Sequence, residues 1–185
     1  MMNVEAVMTV NPKTCTTQDN LNRAANLMWE SDCGSIPVVD ETGRLCGVLT
    51  DRDLCMASYT QGKALHEIQV AAAMSKKLFT LAPNASIADA LALFTEHQVR
   101  RAPVVNQIGV VIGMLSIADL IHAQATGKLK KHVKPEAVLA AVHAVSKPRH
   151  EKGAVQLALR DVIVAPASKR ATPAPKSPRK KSRAR

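Results

Sequence analysis

Aromatic residues are scarce in this chain, where two Phe, one Tyr and one Trp make up 2% of 185 positions. Nucleic-acid-binding modules that hold bases by stacking need aromatic platforms, so the composition nearly excludes that class. The core must be built from Val, Leu, Ile, Met and Ala, which a hydrophobic content of 46% can supply. No apolar run approaches the ~20 residues of a membrane helix, and residues 1–9 contain no basic leader with an apolar stretch. We therefore expect a soluble, cytoplasmic protein with no membrane span.

The sequence lacks the residue patterns that a metal site and a catalytic site require. The four cysteines contain no C-x-x-C pair, and the six histidines include no pair spaced four residues apart. The cysteines are therefore expected to be reduced thiols in the core, and no metal site is predicted. No Ser-His-Asp order, phosphate-binding glycine loop or paired catalytic carboxylates are visible, so no catalytic residue is predicted.

The positive charge is concentrated at the C-terminal end. Of a formal net charge of +10, residues 1–145 contribute nothing, with 13 basic and 13 acidic side chains, whereas residues 146–185 carry 12 basic and 2 acidic ones. Residues 166–185 contain four prolines and eight basic residues without an acid, which predicts a disordered tail. Such a tail can bind a polyanion, DNA or RNA, or merely raise solubility. The tail residues assigned to polyanion contact are Lys176, Arg179, Lys180, Lys181, Arg183 and Arg185.

Part of the sequence is duplicated at an offset of 66 residues. The segment Gly47–Leu54 (GVLTDRDL) recurs as Gly113–Leu120 (GMLSIADL). Over Val7–Leu54 and Ala73–Leu120, 13 of 48 aligned positions are identical. A single unit of this size would expose the apolar face of its small sheet. We therefore expect two units that cover each other about a pseudo-twofold axis.

Each copy is predicted to form a strand, a helix, a strand, a turn, a strand and a helix. In the first copy, the strands are expected at 14–16, 35–39 and 45–49 and the helices at 20–31 and 51–58. In the second copy, the strands are expected at 80–81, 102–105 and 109–115 and the helices at 88–97 and 116–125. A further helix is predicted over 135–145, where Pro135 precedes an apolar stripe.

Pro37 and Pro103 lie at matching positions inside apolar runs. A proline cannot donate a hydrogen bond to a sheet, so these strands are expected at an edge, or the proline must face a place where no N–H is needed. A ligand cleft is one such place. A plain sheet edge explains the two prolines equally well.

The order, spacing and duplication of these motifs resemble the CBS domain, and the two copies resemble the paired module that this family forms. The resemblance covers about Val4 to Ala125. It implies an α/β (α+β) fold in which two tandem β-α-β-β-α repeats pack about a pseudo-twofold axis. The expected organisation is repeat 1 at 4–60, a linker at 61–72, repeat 2 at 73–126, a partly helical extension at 127–165 and the basic tail at 166–185.

Thr50-x-x-Asp53 and Ser116-x-x-Asp119 each stand where a strand becomes a helix. One interpretation is a capping box, in which the hydroxyl and the carboxylate satisfy the first amides of the helix. The other is a ligand site, because a hydroxyl-capped helix N-terminus also binds phosphate. The resemblance favours the second interpretation. It implies a cleft where the aspartate meets the ribose of an adenosine nucleotide, AMP or ATP, and the hydroxyl lies towards the phosphates.

The two clefts are not expected to be equal. Arg100 and Arg101 precede the second proline strand, where the first copy has uncharged Gly34 and Ser35. The resemblance implies that basic residues here reach nucleotide phosphates, which favours the Asp119 cleft; solvated loop arginines are the alternative. The remaining predicted ligand-binding residues are Thr14, Thr80, Pro37 and Pro103.

Together, these observations predict a non-catalytic regulatory protein that binds an adenosine nucleotide of the AMP, ADP or ATP class and requires no other cofactor. The alternative is a nucleic-acid-associated protein that acts through its tail, with the paired repeats as a dimerisation platform. A homodimer is expected through the apolar faces of the helices at 20–31 and 88–97, as in similar proteins.

Overall fold

The structure is a computed structural model that describes residues 2–148. The basic tail at 166–185 and residues 149–165 of the predicted extension lie outside the described residues. The strands are β1 (Thr9–Val10), β2 (Cys15–Thr16), β3 (Ser35–Val39), β4 (Leu45–Thr50), β5 (Arg101–Val105) and β6 (Val111–Ser116). The α-helices are α1 (Leu21–Glu30), α2 (Asp51–Gln61), α3 (Val70–Ala73), α4 (Ile87–His97), α5 (Ile117–Ala125) and α6 (Pro135–Ser146). Short 3-10 turns cover Val4–Ala6 and Leu65–Glu67.

The described residues form two small sheets with helices against them, which confirms the predicted mixed fold of two repeats. One sheet has the strand order β2-β3-β4 and the other has the order β1-β6-β5. The pairing registers match at the 66-residue offset, since Pro37 lies opposite Val48 and Pro103 lies opposite Met114. Each sheet belongs to its own hydrophobic core, one built on α1 and α2 and the other on α4 and α5.

The two repeats exchange the segments that precede them. Thr9 of β1 pairs with Met114 in the second sheet, and Ser75 bridges to Val48 in the first sheet, again 66 residues apart. Val4 is fully buried in the second core, and its counterpart Val70 is fully buried in the first. The segment 61–72, expected as a linker, therefore contributes to the first core through its C-terminal part.

Three predicted elements have other bounds in the structure, and a glycine conformation explains two of the three differences. The helix expected at 51–58 continues to Gln61, because it ends only at Gly62, which has a left-handed φ of 62°. The strand expected at 109–115 begins instead at Val111, because Gly109 forms the preceding turn with a φ of 82°. The strand expected at 80–81 is reduced to a single bridge between Leu81 and Val104.

An edge position does not explain Pro37, because β3 is the middle strand of its sheet. The parallel pairing between β2 and β3 begins at Val38, one residue after the proline. In the second repeat, Leu81 donates to the carbonyl of Pro103 and accepts from Val105. The proline nitrogen thus lies where the parallel pairing stops, which is a place where no N–H is needed.

The predicted helix after the repeats is confirmed as α6, which packs on α4 and α5. Its buried stripe of Val138, Ala141 and Val145 belongs to the second core. The apolar faces of α1 and α4 are likewise buried within the chain, so the predicted homodimer needs a different surface. Among residues 2–148, no helix is both long and apolar enough to cross a bilayer.

Candidate functional site

The predicted capping boxes are formed at the start of both α2 and α5. In the first, the carboxylate Oδ2 of Asp53 accepts from the amide of Thr50 at 2.9 Å and from its hydroxyl at 2.7 Å. In the second, Oδ2 of Asp119 accepts from the amide of Ser116 at 2.8 Å and from its hydroxyl at 2.7 Å. Each hydroxyl oxygen also accepts from the aspartate amide at 3.2 Å. The last residue of β4 and of β6 is thereby hydrogen-bonded to the first turn of the helix that follows it.

The capping box does not use the whole carboxylate. Within residues 2–148, the hydrogen bonds to Asp53 and Asp119 all end on Oδ2, and both side chains are partly exposed. A carboxylate has two oxygens with about four acceptor positions between them. Oδ1 is therefore left to accept from a ligand hydroxyl, and the capping and ligand interpretations are compatible.

A third helix shows that the box alone does not define a ligand site. At the start of α4, Asp89 Oδ2 accepts from the Ser86 amide at 3.0 Å and from its hydroxyl at 2.7 Å. These hydrogen bonds, the one from the hydroxyl first, hold the pKa of Asp89 below its ordinary value. This pair follows a loop rather than a strand of the sheet. Asp89 thus serves as a control for Asp119, because it makes the same local hydrogen bonds at the start of a different helix.

Asp119 lines a cavity of about 220 Å³ that runs along α5. Its other lining residues are Val7, His122, Ala123, Thr126 and Lys128. The ammonium of Lys128 donates to the carbonyl of Ala6, which holds the positive charge beside the N-terminal turn. The cavity therefore combines a carboxylate, an imidazole and an ammonium group. Such a set can bind a ligand that carries hydroxyls at one end and negative charge at the other.

Arg101 extends its side chain from the second repeat towards the first. A Cβ placed on Gly34 would lie 3.4 Å from Arg101 Nη1 and 2.9 Å from Asp51 Oδ2. The backbone of Arg101 pairs with Ser116 in the second sheet. Its guanidinium nevertheless lies near Gly34 and Asp51, at the start of α2. Asp51, the residue after Thr50, also lines a groove of about 430 Å³ between α1 and α2.

The remaining predicted residues lie apart from these contacts. Arg100 is exposed, and its carbonyl accepts from the Ile117 amide at 2.9 Å. Thr14 and Thr80 are exposed and directly precede the parallel pairings. Pro37 is buried in β3.

Sequence patterns missed His122 and Lys128. The contact between Lys128 and Ala6 joins residues 122 positions apart, and no local spacing signals it. Asp51 could have been found, since it adjoins the Thr50 motif.

The cysteines and histidines form no metal centre among residues 2–148, where no cluster of three or more His, Cys, Asp or Glu side chains is placed to hold an ion. All four cysteines are free thiols, as predicted, but only Cys15 is buried in the core, whereas Cys33 and Cys46 are partly exposed and Cys55 is exposed. Burial, with a smaller contribution from Asp19, raises the pKa of Cys15 to about 11. That thiol therefore stays protonated and unreactive at neutral pH.

Comparison with known proteins finds similarity over the same two repeats. A family model for the CBS domain matches residues 4–59 and 68–126. The CBS domain-containing protein YhcV of Bacillus subtilis is 38% identical over 128 residues, which cover 69% of this chain and 89% of that protein. The crystal structure of CBSX2 in complex with AMP has a TM-score of 0.61 at 25% identity and covers 69% of this chain and 99% of CBSX2. The CBS domain pair of MJ0100, solved with 5′-methylthioadenosine and S-adenosyl-L-methionine, shares the fold at a TM-score of 0.60 and 20% identity, covering 68% of this chain and 98% of that one.

Proposed function

Since this chain belongs to the CBS-domain family, we propose that it is a non-catalytic regulatory module that binds an adenosine nucleotide of the AMP, ADP or ATP class. The observation that carries the proposal is the carboxylate of Asp119, whose Oδ2 accepts the capping hydrogen bonds and whose Oδ1 is left to accept from a ligand. The same side chain lines a cavity with Lys128. The complex of CBSX2 with AMP supports the same ligand class. The four free thiols are typical of a reducing compartment, which favours the cytoplasm.

In the second cleft, each part of the nucleotide has a proposed partner. Asp119 accepts from the ribose hydroxyls through Oδ1, and Ser116 lies towards the phosphates. The positive charge for the phosphates comes from Lys128, and the His122 side chain lies beside it in the lining of the cavity. In this assignment Lys128 takes the phosphate-binding role that the sequence predicts for Arg101 in the second cleft.

In the first cleft, Thr50 and Asp53 take the corresponding roles. Arg101 supplies positive charge from the other repeat, since its guanidinium lies beside Gly34. Binding there would join the two repeats through one ligand, which is a direct way to couple occupancy to their arrangement. Five further residues stay in the proposed ligand-binding set on sequence grounds alone: Arg100, Thr14, Thr80, Pro37 and Pro103.

A thermal-shift screen of the full chain with AMP, ADP, ATP and adenosine tests the proposal. A ligand that binds only the folded state stabilises it by about 2.7 kcal/mol at 100 times its dissociation constant. We expect the phosphorylated ligands to raise the melting temperature more than adenosine does. If none of the four shifts the melting temperature at millimolar concentration, the proposed function is wrong.

A second function, polyanion binding by the tail, is favoured by the charge distribution. Residues 146–185 carry 12 basic and 2 acidic side chains, while the rest of the chain is neutral. Titration with duplex DNA should then show a log–log salt slope of about −0.9 for each phosphate contacted. Removing residues 166–185 should abolish that binding and leave AMP binding intact. DNA binding that survives the deletion would contradict a role for the tail.

A further inference from the structure

The two repeats place different side chains at matching points beside their capped helices. In the first repeat, the Asp51 amide donates to the carbonyl of Gly34 at 3.2 Å. In the second, 66 residues later, the Ile117 amide donates to the carbonyl of Arg100 at 2.9 Å. Each bond joins the residue before the proline strand to the first residue of the helix. The first helix therefore begins with an acid where the second begins with an uncharged residue.

The Asp51 carboxylate has a defined orientation at the start of α2. Its Oδ1 accepts from the Arg52 amide at 2.7 Å. Its Oδ2 is turned towards Gly34 and would lie 2.9 Å from a Cβ added there. A side chain at position 34 would collide with this oxygen, so the glycine leaves room for the carboxylate.

Arg101 reaches the same point from the other repeat. Its side chain is partly buried, and Nη1 would lie 3.4 Å from the Cβ added at Gly34. Opposite charges from the two repeats thus lie beside one backbone position. The counterpart of Arg101 in the first repeat is Ser35, which is buried and uncharged, so the second cleft receives no matching guanidinium.

We propose that Asp51 sets the phosphate selectivity of the first cleft and makes it prefer AMP to ATP; this inference rests on the nucleotide-binding function proposed above. A phosphate that reaches the Arg101 guanidinium also comes close to Asp51 Oδ2, because both atoms lie beside Gly34. The carboxylate therefore cancels the advantage that additional phosphates would gain from the arginine. Each additional phosphate still loses hydration on binding, and no net positive charge offsets that cost.

The second cleft has the opposite balance of charge. Ile117 stands in the place of Asp51, and the Lys128 ammonium lies in the lining of the cavity with Asp119. Since Asp119 has its own counterpart in the first cleft, the difference between the two clefts is one carboxylate. Additional phosphates are therefore attracted to the second cleft, which prefers ATP to AMP.

Calorimetric titrations of the full chain with AMP and ATP test the role of Asp51. They use the Asp119→Asn background, in which binding to the second cleft is weakened. Here AMP should bind at least as tightly as ATP. Adding Asp51→Asn should strengthen ATP binding about 3- to 10-fold and AMP binding less, because ATP carries more negative charge. The gain should become smaller at 1 M salt, since Asp51 is exposed and its charge is screened.

Glu41→Gln in the same background is the matched control. Glu41 is an exposed acid in the turn between β3 and β4, so its substitution removes the same charge at the far end of β4 from Asp51. It should leave both affinities unchanged. The proposal is overturned if Asp51→Asn strengthens AMP and ATP binding equally, if it strengthens neither, or if Glu41→Gln has the same effect.

The converse substitution is made in the second repeat of the otherwise unchanged chain. Ile117→Asp should weaken ATP binding about 3- to 10-fold relative to Ile117→Asn, which introduces a polar group of similar size without the charge. Equal ATP affinities in these two variants would contradict the charge effect. A wild-type chain that binds neither nucleotide would contradict the proposed function itself. A chain that binds both, with a ratio of affinities that Asp51→Asn does not change, would contradict only the role of Asp51.

Discussion

Three helices of this chain begin with the same hydroxyl–carboxylate pair, and their hydrogen bonds are nearly identical. The pairs are Thr50 with Asp53, Ser86 with Asp89, and Ser116 with Asp119. What distinguishes Asp119 is its surroundings, since it lines a cavity together with His122 and Lys128. The ligand role proposed for Asp119 therefore depends on the cavity beside its helix. The cap alone does not indicate that role, because the same hydrogen bonds form at all three helices.

The capping boxes were predictable from sequence, because the interaction spans only three residues and depends on local chemistry. The position of the Arg101 guanidinium was not predictable. Its backbone belongs to the second motif, and only the packing of the two repeats brings its side chain towards Gly34. Lys128 likewise needs the folded N-terminal turn to hold its ammonium.

Lys128 provides a prediction at the residue scale. Lys128→Gln should weaken AMP binding about 3- to 10-fold, because an exposed charge pair contributes only about 1 kcal/mol. Adenosine, which has no phosphate, should bind the variant as it binds the wild type. Lys130→Gln removes another exposed charge two residues away and serves as the control in calorimetric titrations. Equal losses for AMP and adenosine, or for the two variants, would contradict the assigned role.

The elements are joined more closely than their order along the chain indicates. The segment containing α3 completes the first repeat, and the segment containing β1 completes the second. Alternation and helical periodicity predicted most strands and helices, because those patterns reflect the local direction of side chains. They could not show that Val70 enters the core of the preceding repeat, since a short apolar segment does not encode which sheet it joins.

The exchange of segments predicts a specific stability effect. Val70→Ala removes two methyl groups from a fully buried site and should lower the free energy of unfolding by roughly 2 kcal/mol. Val4→Ala, at the matching site in the second core, should cost a similar amount. Val10→Ala, at a position that is 60% exposed, should change stability by less than about 0.5 kcal/mol. Urea unfolding measures all three, and an unchanged Val70→Ala variant would mean that 61–72 acts only as a linker.

The whole molecule is a duplicated unit whose halves have become different. One half is covered by α6, while the other exposes Trp29 and Tyr59. The duplication, the family and the helix at 135–145 could be inferred from sequence, because repeats and apolar periodicity are written directly in it. The asymmetry could not, because an apolar stripe does not specify which helical face it packs on, and only the tertiary structure shows that α6 packs on α4 and α5.

Calorimetric titration of AMP into the wild type, Asp119→Asn and Asp89→Asn tests the central claim most directly. Both variants remove one negative charge from the same position of a capped first turn, so their melting temperatures should fall by similar amounts. Only Asp119→Asn should also lose AMP affinity, by on the order of 1–3 kcal/mol or about 5- to 150-fold. The asparagine keeps a single acceptor oxygen, which the Ser116 amide and hydroxyl use in the cap, and it presents an NH2 donor to the ribose hydroxyls in place of Oδ1. Equal affinities in the two variants would contradict the account and leave Ser116 and Asp119 as a helix cap alone.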